Sequence, residues 1–114
     1  MRSQPRQQTS VALRQRRRQL LRHLPPLDRL LRGSLIERYK PCGKPGCKCA
    51  RGRGHGPKHY LSVSHYGRQP QMDYLPQDCQ SQASECLANY HHLRQISDEV
   101  CAINHELLCR REVL

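Results

Sequence analysis

Cys42, Cys47 and Cys49 stand in a C-x4-C-x-C arrangement within "YKPCGKPGCKCARGRGHGPKHYLS", residues 39–62. Thiolates ligate metals and attack electrophiles, so metal binding and redox chemistry are the first candidates. Lys44-Pro45-Gly46 carries Pro and Gly in the order a type II turn demands, which would fold Cys42 back beside Cys47. Cys47 and Cys49, two apart in extended chain, would face the same side. Three thiols then converge, and His55 or His59 is close enough in sequence to complete a closed tetrahedral zinc site. Lys40, Lys44 and Lys48 would favour the thiolates electrostatically. The expectation is a structural zinc ion. Two other readings compete with it: a Gly-Pro turn whose cysteines pack as small apolar groups, and a Cys47–Cys49 redox pair without the strand-to-helix context such pairs use.

A second chemistry surrounds the first. Arg51 and Arg53 alternate with glycines, so the backbone there can approach a phosphate closely, and Arg38 and Lys58 lie nearby. The whole chain has 114 residues and a formal net charge of +11. That charge is uneven: residues 1–32 carry +8, residues 33–75 carry +6 with Glu37 and Asp73 their only acids, and residues 76–114 carry −3. Two adjacent basic segments point to a polyanion, of which nucleic acid is the commonest. The candidate phosphate contacts are Arg14, Arg16, Arg17, Arg18, Arg38, Lys44, Lys48, Arg51, Arg53 and Lys58.

These groups need elements to hold them. Thr9 or Ser10 can cap a helix over "VALRQRRRQLLRHL", with Val11, Leu13, Leu20, Leu21 and Leu24 as its apolar stripe and arginines over most of the rest. Pro25-Pro26 ends it, and residues 26–32 read as a second short helix with Pro at its start and Gly33 beyond its end. "SLIERYK" then reads as a strand. "KHYLSVSHY" alternates in the period-two manner of a half-buried second strand. After a turn at Gly67, "QPQMDYLP" returns as a third, with Met72 and Tyr74 on one face and Pro70 marking it as an edge.

After Pro76 there is neither Gly nor Pro, and Leu87, Tyr90, Leu93, Ile96, Val100, Ile103 and Leu107 recur at steps of three or four. One long helix with a continuous apolar seam is expected. It is too long for a small sheet to cover, so the seam should meet either the N-terminal helix or the same seam of a second chain. Cys79, Cys86, Cys101 and Cys109 on this helix are expected as ordinary core filling.

Several classes are excluded. There is no Ser-His-Asp constellation, no phosphate loop of the Walker type and no paired carboxylates in the basic regions, so the reading is non-catalytic. No eighteen apolar residues run together, and the first residues are polar where a signal peptide needs an apolar stretch. A cytoplasmic protein without a membrane span is expected, and in that reducing compartment seven cysteines are not a disulfide framework.

At "RGSLIERYKPCGKPGCKCARGRGHGPKHYLS", followed by "YLP" and a long helix, the sequence resembles an uncharacterised small-domain family of bacteria and archaea. Its core reads G-S-L, then C-G-K-P-x-C-x-C-A-x-G, then H-G-P-x-x-Y-L-S. The resemblance runs from Gly33 to Leu108 and places Cys42, Cys47, Cys49, His55, Gly56, Pro57 and Tyr60 on the family pattern. It implies His55 rather than His59 as fourth ligand. Lys58-His59 departs from the aromatic residues usual there, which leaves Tyr60 as the strand's one stacking ring.

The expected architecture is therefore α+β. A basic helical arm (residues 1–32) precedes a Cys/His knuckle with a three-stranded antiparallel sheet (33–76) and a long amphipathic helix (77–114), in one folded domain. The expected function is non-catalytic binding of DNA or RNA by a zinc-stapled protein, as an accessory to a larger nucleoprotein assembly. The alternative is a protein-interaction scaffold that docks a partner, or a second copy, through the 87–107 seam.

Overall fold

Thr9 sets the start of the first helix by accepting, through Oγ1, the backbone N–H of Ala12 at 3.1 Å. The helix, α1, runs Ser10–Arg22 and closes where His23 N–H bonds to the Leu20 carbonyl. The computed structural model describes residues 4–40, 46 and 55–114, with the backbone alone at Lys40, His55 and Gly56. Three strands follow α1: β1 (Ser34–Lys40), β2 (His55–Val63) and β3 (Gln71–Tyr74). The long helix α2 (Gln77–Cys109) comes last. The α+β class is as the sequence implies. Among the described residues no helix is long and apolar enough to cross a membrane.

The chain divides into two compact units, Met1–Leu30 with Ala88–Leu114, and Leu31–Leu87. In the first, α1 packs along the second half of α2. Leu13, Leu20, Ile96, Ile103 and Leu107 form its buried core, with Val100 packed against them. The seam thus meets the N-terminal helix at Ile96, Ile103 and Leu107, the first of the two alternatives its length left open. Only Leu13 and Leu20 of the expected α1 stripe are buried; Val11, Leu21 and Leu24 remain exposed. Residues 5–7 form a 3-10 turn, and Arg110 holds the Pro5 and Gln8 carbonyls.

The second unit is built on the antiparallel sheet β1-β2-β3. Its β2–β3 register is symmetric about Gly67: Tyr60 pairs with Tyr74, Leu61 with Asp73, Ser62 with Met72 and Val63 with Gln71. Gly67 has φ +70 and follows a turn in which Arg68 N–H bonds to the His65 carbonyl. On the other side Leu35 pairs with Leu61, Ile36 with Tyr60, Glu37 with His59 and Arg38 with Lys58. Lys40 then pairs with His55, so two steps of β1 match three of β2. The irregularity falls at Gly56-Pro57, where Pro57 has no N–H to give a central strand. At Gly33, φ is +143 and a Cβ would meet the Ser62 carbonyl at 2.6 Å, so only glycine fits the entry to β1.

Two expectations need correction. Residues 26–32 are not a helix but an irregular segment with a turn near Asp28. A single turn closes within it, Arg29 N–H to the Pro26 carbonyl at 3.2 Å, and the rest bonds outward: the Arg29 carbonyl accepts from Asn89 Nδ2 at 3.0 Å, and Leu31 N–H bonds to the Cys86 carbonyl at 3.2 Å. The α2 cysteines are not core filling either. Cys79, Cys101 and Cys109 are exposed and Cys86 is half-buried, because the first three fall off the seam that Ile96, Ile103 and Leu107 define.

Candidate nucleic-acid interface

Three of the four α1 arginines expected to meet phosphate have partners within their own unit. Arg16 donates through Nε and Nη2 to the two carboxylate oxygens of Glu99, at 2.5 and 3.2 Å. Hydrogen bonding to Glu99 raises the Arg16 pKa, so the guanidinium is charged at every accessible pH. Arg14 donates to Glu112 and to the Val113 carbonyl, and Arg17 to Asn104 Oδ1 and the Leu114 backbone oxygen. These arginines bind α2 and the residues after it to α1. Arg18 and Arg22, one turn apart and exposed, have no such partner among the described residues.

A residue that sequence reasoning passed over does similar work. Arg110 donates to Glu106, to Ser10 Oγ, and to the Pro5 and Gln8 carbonyls. Ser10 Oγ in turn donates to Glu112. That bond, with help from Arg14 and Arg110, holds the Glu112 carboxyl below the usual glutamate range despite an opposing desolvation.

In the sheet unit, register sorts charge by face. Residues directly opposite one another in an antiparallel sheet share a face. Arg38 and Lys58 therefore lie on one face with Ile36, Tyr60, Tyr74, Ser62 and Met72. Glu37 and Asp73, the acids of residues 33–75, lie on the other with His59, Leu61 and Val63. The basic face is also aromatic. Arg38 Cζ sits 5.9 Å from the Tyr60 ring centroid, and its Nη2 reaches Met72 Sδ at 3.4 Å. Tyr60 and Tyr74 meet edge to face, with centroids 5.9 Å apart and planes at 70°. Tyr74 is 57 % exposed. Tyr60 is the ring of β2 on this face, and Tyr74 adds a second from β3. Reflecting the chain about Gly67 is the signal that would have paired the two tyrosines from sequence.

Cys42, Cys47, Cys49, Lys44, Lys48, Arg51 and Arg53 lie outside the described residues, as does the side chain of His55. Gly46 has φ +75, as the second central position of the expected type II turn requires. The alternative ligand His59 is engaged elsewhere, its Nε2 3.3 Å from Glu37 Oε1. Among the described residues there is no group of three or more metal-ligating side chains. A cleft of about 560 Å³ beside α1 and α2 is lined by Arg16, Asp98 and Glu99 among others. With Arg16 already paired to Glu99, its wall is unsuited to phosphate.

The fold is thus a small α+β protein with a basic, tyrosine-bearing sheet face. The chain belongs to the family described as Domain of unknown function (DUF6788), whose model matches residues 11–82. That match takes in α1 and its arginines, which the Gly33–Leu108 resemblance leaves out, and it stops within the first turns of α2. No curated protein and no solved structure matches the chain.

Proposed function

We propose that the chain is a non-catalytic nucleic-acid-binding protein, an accessory to a larger nucleoprotein assembly, with a structural zinc ion that staples its sheet unit. The observation that carries this reading is the segregation of charge in the sheet. Arg38 and Lys58 are direct cross-strand neighbours, and the paired strand residues that share their face include no carboxylate. Like charges placed opposite each other destabilise a sheet, so the pair costs stability unless an anion lies against it. A phosphate backbone is such an anion. Exposed Arg18 and Arg22 on α1 offer further contacts of the same kind.

Zinc is supported by a weakness of the same unit. Among its described residues Ala83 alone is a buried apolar side chain, which is little for residues 31–87. Sheets this small need a staple. The Cys42, Cys47 and Cys49 spacing with His55 would supply four donors, and Lys40 and His55, paired across β1 and β2, bracket the segment that contains all three cysteines. A closed four-ligand ion would hold the fold and leave no position for substrate.

The rival reading, a scaffold docking through the long helix, needs the seam free. Leu13 and Leu20 already cover it at Ile96, Ile103 and Leu107. Fluorescence anisotropy with labelled DNA and RNA tests the proposal. Binding that weakens when Arg38 and Lys58 are both changed to Gln, with circular dichroism unchanged, supports it. Equal affinity of the variant removes the sheet face from the interface.

A further inference from the structure

Resting on that reading, we infer that the sheet face of Arg38, Lys58, Tyr60 and Tyr74 takes single-stranded nucleic acid, with a base stacked on Tyr74 and flanking phosphates on Arg38 and Lys58. Three observations lead here. Tyr74 is a large aromatic on an edge strand, 57 % exposed, although the chain has only five tyrosines and no other ring larger than histidine. It is not loose: the edge-to-face contact with Tyr60 fixes its ring, so little freedom is lost when a base stacks on it. The cations beside it are placed as well. Arg38 is held over Tyr60 and against Met72, and Lys58 is its direct neighbour in register.

A duplex offers such a surface phosphates but hides the faces of its bases. A single strand offers both, and base–aromatic stacking tolerates any sequence because every base has a π face. An acidic protein would satisfy Arg38 and Lys58 but would have no use for an exposed ring flanked by them. The charge and the ring are accounted for together by unpaired nucleotides.

The two contributions separate by substitution. Tyr74→Leu keeps an apolar, strand-compatible side chain and removes the ring, whereas Tyr74→Phe keeps the ring. Binding is read by anisotropy on a labelled single strand of about 12 nucleotides, as DNA and as RNA, and on the matching duplex. The inference expects wild type to prefer single strands, Tyr74→Leu to lose about tenfold in single-strand affinity with an unchanged salt slope, and Tyr74→Phe to stay within about twofold. Duplex affinity should be indifferent to both changes, which also reports that the variants are folded. Equal wild-type affinity for duplex and single strand, or a Tyr74→Leu variant that binds single strands like wild type, would overturn the inference while leaving nucleic-acid binding intact. Absence of binding to every strand would overturn both. The DNA and RNA arms identify the sugar the site takes, and the Tyr74→Leu loss is expected in whichever arm binds.

Discussion

Arg16 and Glu99 meet through two N–H···O contacts, although 83 residues separate them, so part of the most arginine-dense stretch of the chain is a clamp between helices. The pair is partly exposed, with 39 % and 16 % of the two side chains open to solvent, so its worth is that of a good surface pair. A double-mutant cycle on Arg16→Ala and Glu99→Ala should give a coupling of about 0.5–1 kcal/mol, discounted for screening. Arg16→Ala should lower the melting temperature and leave nucleic-acid affinity little changed, while Arg18→Ala with Arg22→Ala should do the reverse. An Arg16→Ala variant with full stability and weakened binding would return this arginine to the interface.

Leu107 has no exposed surface and sits at the end of the α1–α2 core, whereas its neighbour Leu108 is 58 % exposed. Leu107→Ala should cost about 3 kcal/mol in urea unfolding, from lost burial plus the cavity left behind. Leu108→Ala should cost under about 0.5 kcal/mol. Similar costs for the two would mean that the helix is rotated from the packing described.

The seam shows how much of this fold the sequence carries. Ile96, Val100, Ile103 and Leu107 recur with helical period, and their burial follows from that pattern. Even the face of Tyr74 is legible, since alternation and the central Gly67 fix the β2–β3 register. What the pattern could not carry is long-range. Nothing local distinguishes Arg16, which meets Glu99, from Arg18, which meets solvent; only the docking of two helices decides. Residues 26–32 have helix-like ends, but carbonyls and N–H groups that find Asn89 and Cys86 are not free to form a helix. The cysteine cluster is a matter of spacing alone, and its residues lie outside those described.

Acid should loosen the first unit through Glu112. Its folded pKa is lowered, chiefly by the Ser10 hydroxyl, so its contribution is fully present above the unfolded pKa and is lost as pH falls through the folded one. Melting temperature should therefore fall between about pH 6 and about pH 3 more steeply in wild type than in Glu112→Gln. Parallel pH profiles would show that the Ser10 and Arg14 contacts contribute nothing to stability.

If Cys42, Cys47, Cys49 and His55 hold zinc, native mass spectrometry should find one ion per chain, and a chelator should lower the melting temperature. Cys47→Ser should abolish the ion, and His59→Ala should keep it, since His59 pairs with Glu37. A metal-free chain indifferent to chelator would remove the staple from the account.

The central claim is that a phosphate backbone lies against Arg38 and Lys58, and salt tests it most directly. The affinity of the full chain for a labelled oligonucleotide should be measured across a range of potassium chloride concentrations. Two or more phosphate contacts predict that log K falls linearly with log salt, with a slope of about −1.5 or steeper, and that the slope becomes shallower when Arg38 and Lys58 are both changed to Gln. An affinity flat in salt, or no binding at the lowest salt, would contradict the claim.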